Sequence, residues 1–290
     1  MKAKVFVVVP VFNRRHYTEA FLRCMRKQTF ENFQIIVVDD GSTDGTSEMI
    51  SQHFKEVQLL GGNGNLWWTG AINVGIRHAM LQAAETDAVL VINNDLEVDP
   101  DYLEILHGLY QSMPKTLIGS VVVDIDNTNC IDNGGVVINW LTAKHRVLNR
   151  NKYLSDFNEN YYVDVSYLTG RGVLIPVQVF QAIGLYDEKH FQQCGDIDLP
   201  VRAKNAGYRL IVSYAAVVKS HIKGTYDINR LESYSLKYLK SYFFDIKSNF
   251  RLKYRFFFAY NTARNPIYFI SFFVCDILRI SYHFFSRVRL

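Results

Sequence analysis

Three stretches of this chain are apolar without alternation: KVFVVV (4–9), FQIIVV (33–38) and DAVLVI (87–92). A strand with one face in water alternates apolar and polar residues. A strand with no polar face must be covered on both sides, as in a parallel sheet with helices packed above and below. The segments between have helical spacing. YTEAFLRCMRKQ (17–28) places Ala20, Leu22, Cys24 and Met25 close together, and AINVGIRHAMLQAA (71–84) does the same for Ile72, Gly75, Ile76, Ala79 and Met80. The pattern predicts an α/β chain with a mostly parallel central sheet flanked by helices.

The remaining elements follow the same rhythm. A Gly/Ser/Asp turn after residue 38 leads into a helix ending near 53, VQLL (57–60) reads as a strand, and GGNGNLWWTG (61–70) reads as a loop. IGSVVVD (118–124) and VVI (136–138) read as strands around a tight turn at NGG (133–135), and YYVDVSYLTGRGVLI (161–175) as one or two strands broken by Gly170 and Gly172. Pro176 opens a short helix toward Ile183. A helix is expected over 196–206, with Pro200 tolerated in its first turn, then strands over 208–213 and just before His221. The opening MKAKVFVVVPVF is too short and too proline-interrupted for a signal peptide and reads as a buried strand. Cys24, Cys130, Cys194 and Cys275 are far apart, without a zinc or CxxC pattern, and are expected to be unreactive thiols in a reducing compartment.

In doubly covered sheets, ligands bind at the carboxyl ends of strands. Those ends carry the unusual residues here: Asn13 and Arg14 after the first strand, Asp39 to Asp44 after the second, Gly61 to Trp68 after the third, and Asn93 to Asp95 after the fourth. In VVVDDGSTDGT, a carboxylate can accept from a base N–H or a sugar hydroxyl, or can close an Asx turn feeding a helix capped by Asp44 or Ser42. INNDLEVDP offers Asp95 with amide neighbours, a sparse oxygen set of the kind Mg²⁺ or Mn²⁺ uses when substrate phosphates complete its shell. Asp99 and Asp101 read as first-turn residues around Pro100. GDIDL (195–199) spaces Asp196 and Asp198 two apart, so on a helix they do not share a face. Arg202, four residues on, is the natural partner of Asp198, which leaves Asp196 free as a base. Of Trp67 and Trp68, one is expected in the core and the other stacked on a ligand. His221 reads either as a ligand or as a structural histidine.

Taken together, VVVPVFNR (7–14), VVVDDGSTDGT (36–46), GGNGNLWWTGAINVGI (61–76), INNDLEVDP (92–100), YLTGRGVLIP (167–176), GLYDEKHFQQCGDIDLPVRAKNAGYRL (184–210) and VVKSH (217–221) resemble, in order, the motifs of the family 2 glycosyltransferases. These are inverting, nucleotide-sugar-dependent enzymes of the GT-A fold. Within the family the chain looks closest to the rhamnosyltransferase-like branch. The resemblance covers about residues 3–225. It implies that Asp39 binds the nucleobase in a pocket lined by Pro10, Phe12 and Asn13. Asn93 is implied near the ribose and diphosphate, with Gly64, Asn65, Trp68 and Asn94 also on the donor side. Asp95 would hold Mg²⁺ or Mn²⁺, with His221 as a further ligand, and Asp196 would be the catalytic base. Gly170 would floor the sugar and acceptor site, with Trp67, Arg171 and Asp198 beside it. Two departures stand out: the familiar Asp-x-Asp is Asn93-Asn94-Asp95, and the acid that often precedes the base is Gly195.

The division expected is a catalytic domain over 1–228, nucleotide-binding to about 115 and acceptor-binding beyond it, followed by a helical tail over 229–290. The tail has eleven Lys or Arg against three acids and 18 of the 38 Phe and Tyr residues. Its longest apolar run, IYFISFFVC (267–275), stops at Asp276, too short for a membrane span. An amphipathic surface helix is expected, contacting a membrane, packing on the catalytic domain or forming an oligomer interface. The function expected is transfer of rhamnose or another hexose from a dTDP- or UDP-sugar to a lipid-linked or oligosaccharide acceptor in bacterial surface polysaccharide synthesis. The setting would be cytoplasmic, at the inner face of the plasma membrane. Nucleic acid is a poor partner, because the strand-end acids repel phosphates. The rivals are a nucleotidyltransferase of similar topology, which PVFNRRH fits badly in place of a Gly-rich phosphate loop, and a non-catalytic glycan-binding or scaffold protein.

Overall fold

The computed structural model of the chain describes residues 3–221 and 236–286. Its first half contains the expected units: β1 (Val5–Val11), α1 (Arg15–Met25), β2 (Phe33–Asp39), α2 (Thr46–His53), β3 (Gln58–Gly61), α3 (Trp67–Met80) and β4 (Ala88–Ile92). β1 pairs in parallel with both β2 and β4, and β2 with β3. The order is therefore 3-2-1-4, and the chain reverses its direction of travel across the sheet beside β1. Such a reversal opens a crevice at the strand ends, because the flanking loops diverge there.

The apolar runs are explained by their surroundings. Val5, Val7, Val9 and Val11 of β1 face Phe21, Leu22 and Met25 of α1 and Met49 and Ile50 of α2. Phe6 and Val8 face Ile72, Ile76 and Ala79 of α3. All of β1 from Val5 to Val9 is fully buried, each large side chain contributing about 1.5–3 kcal/mol.

The second half continues with β5 (Leu96–Val98), α4 (Tyr102–Ser112), β6 (Thr116–Asp124), β7 (Asn127–Asn133), β8 (Val136–Asn139), β9 (Lys144–Val147), β10 (Tyr162–Asp164), β11 (Arg171–Pro176), α5 (Val177–Ile183), α6 (Asp198–Asn205) and β12 (Arg209–Ser220). The main sheet runs β10-β12-β6-β11-β4-β1-β2-β3. β11 is antiparallel to both β4 and β6, so the sheet is mixed, parallel in its first half. β8 and β9 form a separate hairpin.

Three elements differ from expectation. α3 begins at Trp67 rather than 71, because a distant carboxylate caps it, as described below. The two strands expected before His221 are one strand, β12, with a register shift between Ser213 and Val217. β5 follows Asn93-Asn94-Asp95 at once and pairs with the end of β12. Three residues are too few to show a period.

The tail forms α7 (Leu236–Phe244), α8 (Leu252–Thr262) and α9 (Pro266–Ser286). The boundary expected between 228 and 229 lies outside the described residues. α9 does not stop at Asp276. That carboxylate is fully buried, 3.4 Å from Arg255 and 2.5 Å from Arg279. Tyr254, Phe258, Ala259 and Phe272 form one apolar cluster with Ala143, Phe191 and Val201, so the tail packs on the body of the protein.

Candidate active site

The crevice beside β1 is closed by the first turn of α1. Arg14, just before that helix, places Nη1 2.5 Å from Asp95 Oδ2, joining the loop after β1 to the loop after β4. Asn94 turns inward, nearly buried, and donates to Thr18 Oγ1 at 2.8 Å. Its amide nitrogen is thereby tied to α1. Tyr17 lies edge-on to His221, with ring centroids 5.3 Å apart. In the antiparallel pairing of β5 and β12, Ser220 stands opposite Leu96, the chain neighbours of His221 and Asp95.

The loop after β2 is held by its own acids. Asp39, 2% exposed, accepts from Ser42 N at 2.9 Å and from the Ser47 hydroxyl, so the Asx-turn geometry is present. Asn13, at φ 51°, accepts from Thr43 N at 2.8 Å and gives its own N–H to Ser42 Oγ. Phe12 beside it is 54% exposed, an apolar shelf at the rim, and Pro10 is half-buried. Asp44 accepts from Arg15 N and Thr46 N, tying α1 to α2. Burial raises its pKa, but these hydrogen bonds together outweigh that and hold it below the usual carboxylate range.

Asp40 is the residue the sequence pattern did not single out. It is 5% exposed and accepts from Gly64 N (2.8 Å), Leu66 N (2.9 Å) and Trp67 N (3.0 Å). It thus caps α3 from another strand end, which is why the helix starts at the tryptophans. Its signal was the second Asp of VVVDDGS. Gly64 and Asn65 stay exposed on this loop, and Trp67, at φ 57°, is half-buried.

Trp68 runs the other way, and a continuous set of contacts passes through it. Its Nε1 donates to Asn93 Oδ1 at 2.9 Å, at the end of β4. Its six-membered ring lies on Gly170, where a Cβ would come within 2.4 Å of Cζ2. Gly170 N in turn donates to Asp196 Oδ2 at 3.1 Å. One row therefore reaches from the β4 end, two residues from Asp95, to Asp196. The antiparallel pairing of Arg171 with Ile92 makes this approach possible.

Asp196 is a carboxylate with a raised pKa. Burial raises it, and the Gly170 N–H and the Arg171 charge lower it by less. Arg171 is held at 3.3 Å by Asp132. Asp198 is elsewhere: it is fully buried, with Oδ2 2.7 Å from Arg202 Nε and Oδ1 accepting from Asn261 at 3.2 Å. The predicted Arg202 pair is present, and both oxygens accept hydrogen bonds. Gly195 precedes Asp196 because a Cβ there would meet Thr69 Oγ1 at 2.3 Å. All four cysteines are free. Burial pushes the Cys194 thiol up to about 12, as suits an unreactive one.

The donor set suits a divalent ion only in part. Asp95 offers one carboxylate and His221 one imidazole, and among the described residues no group of three His, Cys, Asp or Glu stands ready for a metal. An ion here would need oxygens from elsewhere, as Mg²⁺ and Mn²⁺ commonly take from a substrate diphosphate.

Known proteins resemble this arrangement. The family model described as Glycosyl transferase family 2 matches residues 6–171. An N-acetylglucosaminyl-diphospho-decaprenol L-rhamnosyltransferase of Mycobacterium tuberculosis is 25% identical over 230 residues, 74% of this chain and 75% of its own length. A low-salt glycan biosynthesis hexosyltransferase of Haloferax volcanii is 24% identical over 71% of this chain and 64% of its own. Among solved structures, a mannosyltransferase of Pyrobaculum calidifontis in complex with GDP-Man and Mn²⁺ superposes with a TM-score of 0.60 at 14% identity, covering 99% of this chain and 71% of that one.

Proposed function

The chain belongs to glycosyl transferase family 2 and has its GT-A fold, and on that premise we propose that it is an inverting glycosyltransferase of the rhamnosyltransferase-like branch. It moves rhamnose or another hexose from a dTDP- or UDP-sugar to a lipid-linked or oligosaccharide acceptor, in the synthesis of bacterial surface polysaccharide at the cytosolic face of the membrane. The observation that carries this reading is the row Asn93–Trp68–Gly170–Asp196, which joins the strand end bearing Asp95 to a carboxylate of raised pKa.

The residues divide the work. Asp39, Pro10, Phe12 and Asn13 form the nucleobase pocket, with Gly64 and Asn65 at its mouth. Asn93, fixed by the Trp68 indole, meets the ribose and diphosphate. Asp95 and His221 would hold Mg²⁺ or Mn²⁺, which when bound supplies positive charge against the leaving diphosphate. Arg14 pairs with that same carboxylate. Trp68 and Gly170 floor the sugar site, and Trp67 and Arg171 flank it.

Asp196 takes the proton of the acceptor hydroxyl as that oxygen attacks the anomeric carbon. The glycosidic bond forms, the bond to the diphosphate breaks on the opposite face, and the configuration inverts. A base at neutral pH gains driving force as its pKa rises toward the working pH, so the half-buried, partly desolvated setting of Asp196 suits the task.

Incubating the full chain with a panel of nucleotide sugars, with and without Mn²⁺, and following nucleoside diphosphate release tests the proposal. Metal-dependent release from one dTDP- or UDP-sugar is expected. Formation of a nucleoside triphosphate and a sugar 1-phosphate when inorganic pyrophosphate is added would point instead to a nucleotidyltransferase, and no turnover of any donor would leave only a glycan-binding role.

A further inference from the structure

Among the described residues, nothing covers one apolar face of α9. α9 has two faces. Phe272, Asp276, Ile280 and Phe284 recur every four residues and are buried. On the opposite side stand Ile267 (73% exposed), Ile270, Val274, Leu278 (64%), Tyr282 (75%) and Phe285. Those six trace one outward stripe along a helix of 21 residues, about 32 Å at 1.5 Å per residue. Leu141, whose carbonyl accepts from Ser271 and Cys275 of α9, is also exposed at its flank, as are Phe256 and Tyr260 of α8. An apolar face of this extent is unusual for a surface facing water only.

We infer that this stripe is a docking surface for an anionic lipid bilayer, with α9 lying in the plane of the interface. Charge favours that occupant. Residues 236–286 contain eight Lys or Arg against Asp245 and Asp276, and Asp276 is buried between two arginines. Lys240, Lys247, Arg264 and Arg279 are exposed. Basic side chains beside an apolar stripe are the signature of helices that lie at the headgroup boundary.

By length and composition α9 could also cross a membrane. Its inner face argues against that. Insertion would strip Phe272 from Trp140 and Phe258 and carry the Asp276–Arg279 pair into hydrocarbon, where ionised side chains are costly. Lying flat keeps those contacts and buries only the stripe.

The docked helix would be joined to the catalytic base. Arg255 of α8 meets Asp276 of α9, and α8 grips the segment leading to Asp196. Lys253 donates to the Lys189 carbonyl, Arg251 to Gln192, and Asn261 to both Asp187 and Asp198. Phe257 stacks on His190 with ring centroids 3.6 Å apart. A bilayer under α9 is thus two packed layers from the base, which suits delivery of a lipid-linked acceptor. That consequence, unlike the docking itself, rests on the transferase reading.

The test is flotation of the full chain with phosphatidylcholine vesicles, with and without phosphatidylglycerol, in the absence of donor. Binding to the anionic vesicles is expected, weakened by salt. The double variant Val274→Ser, Leu278→Ser should bind at least about tenfold more weakly, with its thermal midpoint unchanged because both side chains face outward. No flotation, or equal flotation of the variant, overturns the inference. So does a wild-type dimer that the same variant dissolves without any vesicle binding, since a second copy would then be the occupant. Nucleoside diphosphate release with a soluble acceptor is measured separately. Release without flotation overturns docking and leaves the transferase reading standing, and flotation without release does the reverse.

Discussion

Asp196 shows how a single side chain carries both chemistry and a cost. Its pKa is raised mainly by burial, so folding penalises the charged form. Relative to the unfolded chain, stability is greatest below the ordinary carboxylate range and declines as pH rises through the raised pKa. Asp196→Asn removes this penalty. Its thermal midpoint at neutral pH should equal or exceed that of the wild type, and the difference should vanish in acid. The acid limb of kcat/KM should fall above the ordinary aspartate range. Asp95→Asn should lose Mn²⁺-dependent tightening of nucleotide binding, read by calorimetry, since it removes the one carboxylate at that strand end. Asp95 and Asp196 could be picked out from their motifs, but their neighbours could not. Asp40 was visible only as half of a doublet, because its partners lie about 24 to 27 residues away. The bonds from Asn94 to Thr18 and from Asn261 to Asp198 were hidden likewise, because those partners come from distant elements.

At the scale of elements, the site depends on two close approaches. α3 lays Trp68 on Gly170, and Gly170→Ala forces a contact of 2.4 Å with a ring that has little room to yield. That variant should lose about 1–3 kcal/mol of stability in denaturant unfolding, and nucleotide affinity with it, because Asn93 loses its indole partner. α6 is pinned by the buried Asp198–Arg202 pair, and Arg202 also donates to the Ile183 and Leu185 carbonyls. Asp198→Ala leaves a guanidinium uncompensated and should cost about 3–5 kcal/mol, measured by urea unfolding. The strands could be read from sequence because continuous apolar runs have one physical explanation. The start of α3 could not, because Gly, Asn and Trp give no local helix signal and its cap comes from β2. β5 and β10 are each three residues long, set by pairing with β12 rather than by any period of their own.

Across the whole molecule, the order 3-2-1-4 gathers the ends of four strands at one edge, and β11, running back against β4, brings Gly170 and Asp196 to the same edge. That convergence was legible in outline, since each strand end carried polar or Gly-rich sequence. The antiparallel insertion was not, because VLI at 173–175 reads alike in either direction. The tail is packed against the segment that carries the base, so deleting it would unpack Phe191 and Val201 as well as remove the outward stripe. Outward-facing substitutions on α9 are the cleaner probe. The central claim is that Asp196 takes the acceptor proton at a site where donor is already held by other residues. The most direct measurement compares sugar transfer and donor affinity in wild type and Asp196→Asn with Mn²⁺ present. The account predicts a rate lower by about 10²–10⁴-fold with donor affinity retained; unchanged transfer, or donor binding lost in proportion to rate, would contradict it.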